Sequence, residues 1–405
     1  MIRVLFLTES FHPVLGGGEI HIRMLGDALV QAGNAATVVT RRIDPTWPAE
    51  DRLDGIRVVR VGPPGVGSLG KYGMVPRALA AVRRLRDSFD VLVVRGTRVL
   101  GAPGMLAARS LGRPLVLQPE INGEFSGEAY TWGKTWAPWK RDLVQTAARL
   151  RNRWMRRAEA FVAMSHEIED EMRAAGIPAD RIARIPHGVD LERFRPASPA
   201  ERAALRERLR LPAAATLLTY TGRLLRGKGL DVLLDAFDRL APRFPEAQLL
   251  LVGSGAGQSL SVEDELRARV AASPWGSRVT FTGRVDTVAD YLRASDVFVF
   301  PSLFEALGIS LVEAAACGLP CVASDTGGIV DIVDHERTGL LHTPGDVERL
   351  VADVARVLSE PALASRLGAA ARARAERELD VKLSLERYRA LFYRLCEHGR
   401  VRGTV

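Results

Sequence analysis

The sequence predicts an α/β protein made of two doubly wound, parallel-sheet domains, and three observations predict it. Short, almost wholly apolar runs alternate with longer segments of helical periodicity along the chain. The alternation is interrupted by a Pro/Ala/Arg-rich stretch near residues 190–212 and then restarts. At 405 residues the chain also exceeds what one core usually supports.

In order, "IRVLFLT" (2–8) reads as a first strand and "EIHIRMLGDALVQAG" (19–33) as the helix that follows. "ATVVT", "IRVVRV", "VLVVRG" (91–96), "PLVLQPE" (114–120), "AFVAMS" (160–165) and "RIARIPHGVD" (181–190) continue the first sheet. After the break, "TLLTYTGRL" (216–224), "AQLLLVGSG" (247–255), "RVTFTGRV" (278–285), "DVFVFPS" (296–302) and "PCVASD" (320–325) form the second. Strands this apolar are buried on both faces, which is the mark of parallel sheets covered by helices. In such sheets ligands lie beyond the carboxyl ends of the strands, so the loops that leave those ends are where chemistry is expected. His187, in "PHGVD", reads as a structural residue beside the linker.

Composition narrows the classes. A hydrophobic content of 47% with 26% charged residues describes an ordinary globular chain, not a disordered one. Three cysteines without metal-type spacing and only seven histidines predict no structural zinc and a reducing compartment. "MIRVLFLTESFHP" is too short in its apolar part for a signal peptide, and no apolar run reaches the roughly 20 residues of a membrane-spanning helix. A cytoplasmic location is the expectation.

Three glycine-containing loops stand at strand ends. Gly16, Gly17 and Gly18 separate the first strand from the first helix, where bare backbone N–H groups favour an anion and a tight turn is the plainer explanation. "VGSGAGQ" (252–258) lacks the third glycine of the dinucleotide fingerprint, because Gln258 occupies its place. "TGRLLRGKGLDVLL" (221–234) fits a phosphate loop from Gly222 to Lys228 but then has Gly229 where a magnesium-binding hydroxyl belongs. What is left is a strand-to-helix loop with two cations, Arg223 and Lys228, suited to a diphosphate leaving group stabilised without much help from a metal.

"PSLFEALGISLVEAAACGLP" (301–320) sets Glu305 in a loop and Glu313 on the following helix, in apolar surroundings. A carboxylate there is costly unless something pairs with it, and a ligand rich in hydroxyl donors, such as a sugar or a ribose, would. With "ESFHPVLGGGEIHI", "GRLLRGKG", "VGSGAG", "FTGRV" and "PSLFEALGISLVEAAACGLPCVASDTGGIVDIV" in this order, nearly the whole chain resembles the family-4 retaining glycosyltransferases of GT-B fold, two Rossmann-like domains facing a cleft.

The resemblance implies an acceptor domain at 1–195, onto which a C-terminal helix at about 385–405 packs back, and a nucleotide-sugar domain at 205–380, with bending near 187–212. It implies that Arg223 and Lys228 grip the diphosphate of a UDP- or GDP-linked sugar, with backbone contacts from Gly17 and Gly18. Glu305 would hold hydroxyls of the donor sugar and Glu313 those of the ribose. Gly308, Ile309 and Ser310 would meet the sugar or phosphates, and Arg284 and Val285 would lie near the base. Transfer to an acceptor hydroxyl would be retaining, in glycan, glycolipid or cell-surface polysaccharide synthesis, with no cofactor and no metal. Many relatives carry a histidine after the strand at 114–118, whereas this chain reads "LVLQPEINGEFSGE"; Glu120 or Gln118 takes that role or the role is absent, and Glu120 joins Glu305, Arg223 and Lys228 as the catalytic candidates.

Other classes stay in view. A nicotinamide dehydrogenase lacks its fingerprint here. A nucleotide-sugar epimerase of the same fold would need no acceptor, and a non-catalytic partner protein would show no turnover. Residues 131–157 hold eight basic residues (Lys134, Lys140, Arg141, Arg149, Arg151, Arg153, Arg156, Arg157) against Asp142, a local +7 in a chain of +8. Trp132, Trp136, Trp139 and Trp154 lie in the same segment, and Leu143, Ala147, Leu150 and Trp154 share a helical face. That composition fits an anionic membrane surface contacted through 130–157, and a lipid-linked acceptor; packing of the apolar face on its own domain is the alternative, and nucleic acid is not expected.

Overall fold

The computed structural model describes residues 1–14, 16–65, 67–131, 135–258 and 260–402. The chain divides into two compact units, residues 1–186 with 384–405 and residues 187–383.

The first unit holds an eight-stranded sheet: β1 (Arg3–Leu7), β2 (Ala35–Arg41), β3 (Glu50–Leu53), β4 (Ile56–Val61), β5 (Val91–Arg95), β6 (Leu115–Gln118), β7 (Ala160–Ala163) and β8 (Ile182–Arg184). Its spatial order is β3-β4-β2-β1-β5-β6-β7-β8. Every neighbouring pair is parallel except β3 with β4. Strand β3, "EDRL", went unforeseen in the sequence because it is short and charged. Its signal was Asp54-Gly55, the dipeptide of a tight hairpin turn; both residues have positive φ, 49° and 85°.

The second unit holds six parallel strands: β9 (Thr216–Thr221), β10 (Ala247–Val252), β11 (Val279–Gly283), β12 (Val297–Phe300), β13 (Cys321–Ser324) and β14 (Leu340–His342), in the order β11-β10-β9-β12-β13-β14. Strands β9, β10, β12 and β13 are buried almost throughout, as their predominantly apolar sequences favour, with the buried Thr219 and Thr221 among them. In each unit the chain starts mid-sheet and builds outward first one way and then the other. The order therefore reverses between β1 and β5 and between β9 and β12, and a crevice opens at the carboxyl ends of each pair.

The residues 187–195, expected with the first domain, group with the second. Val189 donates to the Leu379 carbonyl and accepts from Val381 N–H, at 2.9 and 3.0 Å, and Phe194 is buried. The expected bending segment 187–212 is likewise built into this unit, where Arg206 is tied to Asp296 at 2.6 Å. The chain passes between units at 186/187 and 383/384 instead. The terminal helix Val381–Arg402 completes the core of the first unit: Tyr388, Leu391, Phe392 and Leu395 pack with Phe6, Ile22, Leu25 and Leu29. Among the described residues no helix is long and apolar enough to cross a membrane.

Candidate active site

At the reversal point of the second unit, β9 and β12 lie side by side and their loops interlock. The loop after β9 turns through Gly227 (φ 92°) and Gly229 (φ 63°) into the helix Leu230–Leu240. Gly229 is needed twice over. Its φ lies in the left-handed region, and a Cβ there would stand 1.9 Å from the Pro301 carbonyl oxygen. This is the physical reason the loop departs from a magnesium-binding phosphate loop at that position: no hydroxyl side chain fits. Leu303 N–H donates to the Gly227 carbonyl at 2.9 Å and fastens the two loops together.

The interlock brings Lys228 and Glu305 into contact, Nζ to Oε2 at 2.5 Å, with 21% and 15% of their side chains exposed. Ser302 Oγ stands 3.5 Å from the same oxygen. Arg223 is exposed beside them, its guanidinium donating to Gln258 Oε1 at 3.3 Å. Beneath, the buried Tyr220 donates its hydroxyl to the Arg223 carbonyl at 3.2 Å and stacks on Phe300, ring centres 5.9 Å apart, joining the ends of β9 and β12. Enclosure pushes the Tyr220 hydroxyl's pKa far up, so it stays a neutral donor.

Gly308 (φ 92°) caps the helix Ile309–Ala316, whose first N–H groups, on Ile309 and Ser310, face outward from the helix ladder. Glu313 sits in the second turn of that helix. Burial pushes its carboxyl up to about 7, opposed by Arg193, and no side chain among the described residues hydrogen-bonds it. Gly318 (φ 73°) ends the segment. Arg284, exposed, and the half-buried Val285 follow β11, two strands from β9. The second unit thus brings Arg223, Lys228, Glu305, Gly308, Ile309, Ser310 and Glu313 to one reversal point, and leaves Arg284 and Val285 at the sheet's edge.

Gly17, Gly18 and Glu120 belong to the first unit, at its own reversal point. Gly16 is extended (φ −151°) and Gly17 and Gly18 are helical, so no left-handed turn calls for these glycines. A Cβ on Gly18 would touch Arg95 Nη2 and Glu120 Oε1, each at 3.5 Å. Arg95, 2% exposed at the end of β5, donates to the Gly18 carbonyl at 2.6 Å. Glu120 is exposed; crowding by the protein around it raises its carboxyl, Arg95 holds it down, and Glu124, Glu19 and Glu9 push it further up. Glu9 pairs with Lys71 at 2.9 Å. Glu124 is buried and saturated: it accepts from Thr97 N–H and Oγ1, both at 2.6 Å, and from Glu120 N–H at 3.0 Å. Sequence reasoning missed Arg95, Glu124 and Tyr220. Arg95 alone left a signal, a charge closing an apolar strand. Among the described residues no group of three or more His, Cys, Asp or Glu side chains is placed to hold a metal ion.

Two parallel-sheet units, each with its loops of interest at a reversal point and with a cation–carboxylate pair in the second, define a glycosyltransferase of GT-B fold. Residues 15–193 match the family described as Glycosyltransferase Family 4, and residues 201–374 match Glycosyl transferases group 1. The chain is 31% identical to a D-inositol 3-phosphate glycosyltransferase of Xylanimonas cellulosilytica, across 89% of this chain and 88% of that one. It is 30% identical to a GDP-mannose-dependent α-(1-6)-phosphatidylinositol monomannoside mannosyltransferase of Mycobacterium tuberculosis, across 92% and 93%. Among solved structures, sucrose-phosphate synthase from Thermosynechococcus elongatus superposes with a TM-score of 0.80 at 26% identity, covering 97% of this chain and 99% of that chain. The chain belongs to the family-4 glycosyltransferases, and it moves a sugar from a nucleotide-sugar donor to an acceptor.

Proposed function

We propose that this glycosyltransferase is a retaining, metal-independent hexosyltransferase whose donor is held at the β9/β12 reversal point. The observation that carries the reading is the meeting of Lys228 with Glu305 there, with Arg223 exposed beside them and Glu313 on the next helix. Arg223 and Lys228 hold the diphosphate, aided by backbone N–H groups of Gly17 and Gly18 and by those of Gly308, Ile309 and Ser310. Glu305 accepts from donor-sugar hydroxyls and Glu313 from the ribose, while Arg284 and Val285 lie by the base. The bond from the anomeric carbon to the phosphate oxygen breaks, its electron pair leaving on the diphosphate. The acceptor oxygen bonds to that carbon from the same face, and its proton passes to the departing phosphate oxygen. Two fixed cations supply the charge stabilisation that a metal would otherwise give. Glu120, exposed at the first unit's reversal point, accepts a hydrogen bond from an acceptor hydroxyl and orients it, while the proton goes to the phosphate oxygen.

The test is turnover of UDP- and GDP-linked hexoses in the presence of chelator, with the anomeric configuration of the product read by NMR. A retained configuration is expected; an inverted product, or turnover only with added metal, overturns the mechanism. Release of an altered nucleotide sugar without an acceptor would favour an epimerase, and no turnover at all a non-catalytic role.

A lipid-linked acceptor at an anionic cytoplasmic leaflet is supported by the helix Pro138–Met155. This helix packs through Ala148, Asn152 and Met155, while Trp139, Leu143 and Leu150 are 70%, 62% and 59% exposed. Ala147 is exposed and Trp154 half-buried on the same face, with Lys140, Arg141, Arg149 and Arg153 beside them. The apolar stripe therefore faces solvent, not its own domain. Trp132 and Lys134 lie outside the described residues. The two relatives named above act on inositol-bearing acceptors, one of them a phosphatidylinositol monomannoside. Each basic residue near such a surface contributes roughly 1 kcal/mol, screened by salt. Co-sedimentation with anionic but not neutral vesicles, lost on replacing Arg149, Arg153 and Arg157 by Glu, is expected. Equal recovery in the supernatant with both vesicle types would leave a soluble acceptor.

A further inference from the structure

The Lys228–Glu305 contact has the character of a built-in pair. The two loops that carry it are fastened by the Leu303–Gly227 backbone hydrogen bond and by the close approach of Gly229 to Pro301, which holds the two partners together. Both side chains are mostly shielded from water, which separates this pair from fully solvated surface pairs of negligible strength. Arg223, by contrast, is exposed, and among the described residues its side chain carries only a long hydrogen bond to Gln258.

We propose that this pair makes the site discriminate the intact nucleotide sugar from the nucleoside diphosphate it leaves behind, an inference that rests on the donor-site reading above. A diphosphate that takes the Lys228 ammonium must draw it from Glu305 and leaves that carboxylate beside a polyanion with its hydrogen bonds unmade. With a sugar attached, the released carboxylate receives hydroxyl donors and the loss is offset. Without one it is not. Glu305 thereby weakens binding of the spent diphosphate and speeds its departure, in addition to holding the sugar.

The experiment measures dissociation constants by calorimetry for UDP, UDP-glucose, GDP and GDP-mannose, with wild type, Glu305→Gln, Glu305→Asp and the double variant Lys228→Met/Glu305→Gln. Removing the charge should tighten nucleoside diphosphate binding about tenfold, the scale of one charge-assisted hydrogen bond, and narrow the preference for the nucleotide sugar. Glu305→Asp retracts the carboxylate and should shift the same way by less, which serves should the glutamine variant not fold. The double variant should lose the gain, showing that it runs through Lys228. A diphosphate affinity in both Glu305 variants equal to or weaker than that of wild type overturns the inference and leaves the donor site standing. Wild type that binds none of the four overturns the donor-site reading and this inference with it.

Discussion

At the scale of single residues, two side chains make opposite demands on their surroundings. Gly229→Ala would push a methyl group into the Pro301 carbonyl at a backbone angle that alanine avoids, so the loops carrying Lys228 and Glu305 must part. A loss of several kcal/mol of stability, about 3 or more, and of nucleoside diphosphate binding is expected from thermal melts with and without ligand. Glu313 has its carboxyl raised in the folded chain from the ordinary 4.5 to about 7. Between those values the folded state holds more protons than the unfolded one, so this residue lowers stability as pH rises from about 4.5 to about 7, and its full cost is present above. Glu313→Gln should then melt higher than wild type at pH 8, by on the order of 1 kcal/mol, and alike at pH 4. In the same variant nucleoside diphosphate binding should weaken, since an ionised carboxylate is the better acceptor for ribose. The cations and glutamates were legible in the sequence because charge in an apolar stretch needs a reason. Tyr220 was not: a tyrosine in a buried strand looks like any core aromatic until its hydroxyl is seen beneath Arg223.

Among the elements, those whose sequence settles burial by itself were legible. β1, β5, β6, β9, β10 and β12 lie within three residues of the runs that predict them, because a strand buried on both faces is mostly apolar. β3 is charged and mostly exposed, and β14 is a bare three-residue run held by pairing with β13, so local pattern did not single them out. The loop after β6 was opaque for a similar reason. Its shape is set from a distance by Asn152, which donates to the Glu124 and Phe125 carbonyls at 2.8 Å each, and by Glu171, which accepts from the N–H groups of Gly123, Phe125 and Ser126. Asn152→Ala leaves two buried carbonyls unpaired, at a cost of about 1–3 kcal/mol each. The variant should melt lower and lose activity through a raised acceptor KM while nucleoside diphosphate binding is kept. Loss of diphosphate binding instead would show that the loop serves the donor.

For the whole molecule, the two passages of chain between the units run side by side. Gly188 lies so close to Val381 that a Cβ would come within 2.4 Å of its Cα. The second unit is an excursion that leaves and returns at one place. Residues 187–383 expressed alone should fold cooperatively and bind nucleoside diphosphate; a fragment without a cooperative melt would show that the unit depends on the rest.

The helix that closes the first core is made long after the strands it packs against. Phe6 and Ile22 leave the ribosome more than 360 residues ahead of Tyr388, Leu391 and Phe392. At roughly 5–20 residues per second, the first unit waits on the order of twenty seconds or longer with part of its core uncovered. The usual order of folding during translation is thus inverted: the half begun second can finish first, and the half begun first keeps apolar surface open until the helix at 384–402 emerges. A stop codon after residue 383 should therefore yield a protein whose second unit resists protease and whose first unit does not. Adding back a synthetic 384–402 helix should restore that protection in part.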